Sequence, residues 1–324
     1  MVKQIMLGII WVVLTVLTVR AQNKDATTTL QKSTHLDDHK IVVVTGARFS
    51  YHLVQKWIDD FNKDYPDIQV VIESRGSSDP LKYDILAEVY EHPEDIKAHR
   101  QYLYIGKYAI LPVAKTQSQF AAAYASKGLN DDLIKQMFFH NIFADEDEEV
   151  KIKVPYTVYT RFQKAGAPKV FAEFYGFEQK DINGKAIAGS DEHLLKALLR
   201  DSTGITYLPL PLLFNPASTK GFDEDFTILP VDLDGNGKIK DDERSFFSNP
   251  ETLIKKLEGQ NNVPAAYFHL SVDKNKASDE SVAFLKWVAT NGARYLNSFG
   301  FLKSETHKDQ RDSFKEFASK KHIN

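Results

Sequence analysis

Two stretches of this chain place an arginine beside a small-residue turn at the end of a strand-like run. In the first, Ile41-Val42-Val43-Val44 leads into Thr45-Gly46-Ala47 and then Arg48. In the second, Val154–Tyr159 leads into Arg161-Phe162-Gln163-Lys164-Ala165-Gly166-Ala167-Pro168. Behind each turn the apolar spacing becomes helical: Leu53, Val54, Trp57, Ile58 and Phe61 after the first, Val170, Phe171 and Phe174 after the second. A helix that starts just past a strand end aims free backbone N–H groups and a positive dipole end at one spot. With Arg48, Arg161 and Lys164 added, the chemistry on offer is anion binding. Taken alone, the first stretch is better read as an ordinary strand-to-helix connection with no ligand.

A third stretch is specific on its own. Asp232, Asp234 and Asn236 put side-chain oxygens at positions one, three and five of a twelve-residue loop. Gly237 permits the sharp turn, Lys238 offers its carbonyl, Ile239 faces the core, and Glu243 closes the loop with two oxygens. This is the EF-hand pattern, and hard oxygen donors at this spacing suit Ca²⁺ better than Mg²⁺ or zinc. The run Phe226–Val231 upstream reads as a strand, and there is one such loop rather than a pair. The expectation is a structural calcium staple, not a sensor.

The elements that must position these groups alternate between strand and helix. Ile68–Ile72, Ile85–Val89, Leu103–Val113, Ile205–Leu210 and Ala266–Val272 read as further strands. Asn130, Ser190 and Ser278 are candidate N-caps, and Pro168 suits a first helical position. Alternation of this kind means α/β sheets. The charged end, residues 303–324, reads as a surface helix or frayed end anchored by Phe314, Phe317 and Ile323.

Composition bounds the setting. With 324 residues, 43% hydrophobic and 26% charged, the chain has the make-up of a soluble globular protein long enough for two domains. Lys3, the apolar run Ile5–Val19 and Val19-Arg20-Ala21 make residues 1–21 a secretory signal peptide, with 22–39 a polar linker. Cleavage removes Lys3 and Arg20 and no acid, so the formal charge of −3 becomes −5, which does not suit nucleic acid. The chain has no cysteine, so a lipid-modified cysteine cannot anchor it; a periplasmic location follows as the expectation.

The order of these pieces resembles the phosphate-binding proteins of ABC uptake systems, within the type 2 periplasmic binding protein fold. Thr45-Gly46-Ala47 stands where that family has its Gly-Ser/Thr turn, and Arg161–Ala167 where it has Arg-x-Asp-x-Ser-Gly-Thr. Gly204-Ile205-Thr206-Tyr207 is similar to the family's Gly-Ile-Gly-Tyr strand. Phe284–Val288, Gly292 and Phe299-Gly300-Phe301 are similar to its closing helix and end. The resemblance implies two α/β lobes joined by two hinge strands, with lobe one at 40–112 plus 262–303 and lobe two at 113–261. It implies a monomer that binds phosphate or another small anion in the interlobe cleft, without catalysis, for an ABC permease in the inner membrane. The implied anion ligands are Thr45, Gly46, Ala47, Arg48, Arg161, Lys164, Gly166 and Ala167. Three positions depart from the pattern: Gln163 replaces an aspartate that in the family accepts a proton from hydrogen phosphate, and Ala165 and Ala167 replace hydroxyl residues.

Three function classes follow. The first is an exported solute-binding protein for an anion. The second is a calcium-stapled envelope interaction protein of the same fold that has lost phosphate binding. The third, a phosphate-ester hydrolase, has least behind it: the chain offers no nucleophile elbow, paired-His metal site or helpful Ser/His/Asp order.

Overall fold

The structure, a computed structural model, describes residues 41–73, 79, 81–90, 93–139, 152–164, 166–214, 222–304 and 308–320. The segments expected to be a signal peptide and linker, 1–39, lie outside the described residues, as do Ala165 and Ile323.

In chain order, β1 (Ile41–Gly46), α1 (Tyr51–Asp64), β2 (Gln69–Ile72), β3 (Ile85–Glu88) and α2 (Glu94–Ala98) come first. Then follow β4 (Arg100–Lys115), α3 (Gln119–Tyr124), α4 (Asp131–Phe138), β5 (Thr157–Arg161), α5 (Gly166–Phe174), β6 (Lys185–Ile187) and α6 (Asp191–Arg200). The remainder is β7 (Gly204–Pro209), α7 (Leu210–Leu213), β8 (Phe226–Ile228), α8 (Asp241–Phe246), α9 (Pro250–Glu258), β9 (Ala265–Asp273), α10 (Asp279–Asn291) and α11 (Lys308–Lys320).

The strands join in the order β2-β1-β3-β9-β4-β7-β5-β6, with β8 paired to β4. β4 is the member that both halves share. Its residues from Arg100 to Ala109 run antiparallel to β9, and from Ile110 to Ala114 antiparallel to β7. On one side β1 is flanked by parallel β2 and β3; on the other β5 is flanked by parallel β6 and β7. The result is two α/β lobes, each with parallel strands whose carboxyl ends feed helices, linked through the long strand β4. Ile110 N–H also donates to the Pro264 carbonyl at 2.8 Å, so the segment entering β9 crosses beside it.

The apolar spacing of α1 does what its period requires: Leu53, Val54, Trp57, Ile58 and Phe61 are all buried. Trp57 Nε1 donates to the Gly292 carbonyl at 3.2 Å, which fastens α1 to the segment after α10. In the other lobe Phe171 of α5 stacks on Tyr207 of β7 with ring centroids 4.3 Å apart, and Phe138 of α4 packs edge-on to both. Each such ring contributes roughly 1.5–3 kcal/mol by leaving water. The side-chain oxygens of Asn130 and Ser278 cap α4 and α10.

Some boundaries differ from the sequence reading. α5 begins at Gly166, so Pro168 is its third residue; the first turn of a helix has no N–H partner to lose, so proline is tolerated there too. β5 starts at Thr157 and reaches Arg161, and β8 stops at Ile228. α11 packs on β4 with Phe314 and Ala318 buried. Among the described residues no helix is long and apolar enough to cross a membrane.

Candidate functional site

The turn after β1 is built tightly against β3. Gly46 has φ +133°, and a Cβ there would collide with the Ala87 carbonyl, so glycine is required on two counts. Its N–H donates to Tyr51 Oη at 3.1 Å, and the Ala47 N–H donates to the Ala87 carbonyl at 2.8 Å. Donors that sequence reasoning left for an anion are therefore engaged inside the lobe. Thr45 points inward: it is buried, and its hydroxyl donates to the Glu73 carbonyl at 3.3 Å. Arg48 is exposed at the start of the short 3₁₀ turn Arg48–Ser50 that leads into α1.

The turn after β5 is more elaborate. Arg161 Nη1 donates to Asp191 Oδ1 at 3.3 Å, and Arg161 Nε is buried with no protein partner. Asp191 is the first residue of α6 and is buried. Burial pushes its carboxyl pKa above the usual carboxylate range, and the Arg161 guanidinium only partly offsets that. Gln163 spends its side-chain oxygen on the Gly189 N–H at 3.0 Å, and its backbone carbonyl accepts from Gln179 Nε2 at 2.9 Å. The α6 N-terminus is closed by a capping box in which His193 Nδ1 accepts the Ser190 N–H at 3.2 Å. Lys164 is exposed.

These pieces face one another across a single cavity of about 700 Å³. One wall comes from the β1 turn and the end of β3: Gly46 to Phe49, Tyr83 and Leu86 to Tyr90. The other comes from Arg161, Gln163, Lys164, Gly166 and Ala167, with Gly189 to Asp191 and His193. The walls touch at one rim, where a Cβ on Gly166 would lie 2.5 Å from Val89 Cγ2 and 3.2 Å from Tyr90 Cδ1. On the first wall Glu88 is held by its own lobe, accepting from Ser271 Oγ with Arg100 Nε at 4.0 Å and His269 Nε2 at 3.8 Å. Of the eight sequence candidates, seven line this cavity and Thr45 does not.

Sequence reasoning missed the third contributor, the N-terminus of α6. Ser190, Asp191 and His193 were legible as a helix start and nothing more. The placement of that start beside β5, thirty residues away in the pair Arg161–Asp191, leaves no local signal.

No family model matches the sequence, and no curated protein matches it. Solved structures do. One, described as a phosphate ABC transporter substrate-binding protein with bound phosphate from Clostridium perfringens, superposes with a TM-score of 0.60 at 15% identity, covering 82% of this chain and 100% of that one. An ABC-type phosphate transport receptor from Vibrio cholerae gives 0.52 at 11% identity, again covering 82% and 100%. The chain has a two-lobed periplasmic binding protein fold. The cavity between the lobes of this binding-protein fold lies at the carboxyl ends of β1, β3 and β5, where α/β sheets generally hold ligands.

The loop from Asp232 to Glu243 has a separate geometry. Carboxylate oxygens of Asp232, Asp234 and Glu243 all lie within 4.8 Å of one another, and Asp232 and Glu243 are buried. Gly235 and Gly237 take φ values of +72° and +80°, which lets the backbone wrap round Asp232: Gly235 and Gly237 N–H both donate to its carboxylate. Glu243 accepts the Leu233 N–H at 3.1 Å and the Lys240 N–H at 3.0 Å, so its two oxygens are aimed back over the loop. Three clustered carboxylates of this kind fit Ca²⁺. Lys240 Nζ, 3.4 Å from Asp234 Oδ2, is the cation already at hand.

Proposed function

We propose that this chain is an exported solute-binding protein that captures phosphate or a related small anion between its two lobes and hands it to an ABC permease. In the same reading residues 1–21 direct export to the periplasm, and the Asp232–Glu243 loop holds a structural Ca²⁺. The observation that carries the reading is the cavity itself, which Arg48, Arg161, Lys164 and the start of α5 line from two lobes. A helix N-terminus together with guanidinium groups can bind an anion without a metal. The neighbours described as phosphate binders support the same class of ligand.

Binding would proceed by closure on the ligand. The anion sits on the second wall beside Arg161, and Arg48 reaches it from the first. A second reading, an envelope interaction protein that no longer binds phosphate, is favoured by one feature: the Gly46 and Ala47 N–H groups are engaged within the protein. A thermal-shift panel of inorganic and organic oxyanions, with small-angle scattering on any hit, separates the two. Stabilisation by at least one anion, lost in Arg161→Ala, is expected. No shift by any anion and no change in radius of gyration would leave the second reading standing.

A further inference from the structure

We infer that the ligand of this cavity is an organic oxyanion, a phosphate monoester or carboxylate with a flat or apolar body, rather than a bare inorganic anion. The inference rests on the anion-binding reading above and narrows it.

Size is the first ground. An inorganic tetrahedral oxyanion needs on the order of the room of two or three waters, about 30 Å³ each. The cavity holds about 700 Å³, and this is with its walls already in contact where Gly166 meets Val89 and Tyr90. Further approach at that rim is blocked by backbone and the Val89 side chain, so the space cannot be removed by simple closure there.

The two walls also differ in kind. A bare oxyanion has lone pairs on every side and must be ringed by donors, because each one left unmatched in a closed site costs free energy. The second wall offers such donors through Arg161, Lys164 and the α5 start. The first wall offers fewer: the Gly46 and Ala47 N–H groups donate to Tyr51 and Ala87, and beyond Arg48 and the hydroxyls of Tyr83 and Tyr90 it continues as aromatic ring and the aliphatic side chains of Leu86 and Val89. A surface of two phenol rings and two branched aliphatic side chains suits the body of an organic acid whose charged head lies on the opposite wall. Glu88, the acid of that wall, is turned to Ser271 and Arg100 and would repel a second anion rather than hold it.

Matched pairs of probes test this by calorimetry on the mature protein: inorganic phosphate against phenyl phosphate, and acetate against benzoate. The expected result is a gain of about tenfold or more on adding the ring to at least one head, as burial of a ring face implies. Tyr90→Ala should cost the ring-bearing probe more affinity than its bare partner and so remove most of that gain. Equal affinities within both pairs, or tighter binding of the bare anion, would overturn the inference and leave anion binding intact. No binding of any of the four probes would overturn both.

Discussion

Arg161 and Asp191 form an ion pair inside the candidate site, with Nη1 3.3 Å from Oδ1 and both side chains largely buried. The arginine that resemblance assigns to the anion thus arrives already paired. A buried pair of this kind is a poor source of stability but a sensitive competitor, since the ligand and Asp191 are like charges bidding for one guanidinium.

Competition predicts a pH dependence with a definite sign. Burial raises the Asp191 pKa, so as pH falls this carboxyl takes its proton earlier than an ordinary aspartate and releases Arg161. Affinity for a probe that does not itself titrate, such as benzenesulfonate, should therefore rise as pH drops from 7.5 toward the usual aspartate range. Asp191→Asn should bind that probe about tenfold tighter at pH 7.5, the scale of a like charge removed at contact distance, and lose the pH dependence. Titration calorimetry at three pH values would read this. A flat wild-type profile would exclude Asp191 as a competitor.

Much of this arrangement is visible before folding, and the reason why the rest is not is physical. Runs such as Ile41–Val44 and the 3.6-residue spacing of Leu53 to Phe61 encode local structure, so the alternation of strands and helices is legible. The order of the two turns then brings Arg48 and Arg161 to one cavity through the fold's connectivity. What a turn's N–H groups do is decided elsewhere: Gly46 and Ala47 are satisfied by Tyr51 and Ala87, and Thr45 by Glu73. Asp191 reads locally as a first-turn acid that suits a helix dipole. Its meeting with Arg161 depends on α6 packing beside β5, a tertiary fact with no sequence period.

Gly166 sets how closely the walls meet. A methyl group there would press on Val89 Cγ2 at 2.5 Å, and overpacking of that kind typically costs about 1–3 kcal/mol. Gly166→Ala should leave the secondary structure intact, hold the lobes apart and weaken anion binding by about tenfold. Removing the obstruction in Gly166→Ala/Val89→Ala should recover most of the loss. Scattering profiles and calorimetry of the two variants check this. Equal weakening in the double variant would mean that Gly166 serves the α5 backbone and not the fit between walls.

Asp201 ties the end of α6 to β5. Its Oδ1 accepts the Thr203 N–H and hydroxyl, each at 2.8 Å, and its Oδ2 accepts Tyr159 Oη at 2.8 Å. The Thr203 N–H is the main reason why its pKa lies below the usual value of 3.8. A carboxylate with a depressed folded pKa contributes stability that is present above its unfolded pKa and is lost as pH falls through the folded one. The wild type should therefore be more stable than Asp201→Ala at neutral pH, with the gap in melting temperature closing below about pH 4. A gap that stays constant down to pH 2 would show that the side chain acts through shape alone.

Calcium is the last test, and it is independent of the cavity. Closing a loop of buried carboxylates without a cation leaves Asp232 and Glu243 repelling each other, whereas Ca²⁺ bound only by the folded state adds RT ln(1 + [L]/Kd) to its stability. At a hundredfold excess over Kd that is about 2.7 kcal/mol, enough to move the melting temperature by several degrees. Calcium should raise it, a chelator should reverse the gain, and Mg²⁺ should do little, because Mg²⁺ gives up its waters reluctantly. Glu243→Gln, which keeps the shape of the closing residue but removes its charge, should abolish the shift and leave benzenesulfonate binding unchanged. An equal calcium shift in that variant would move the cation to another part of the chain.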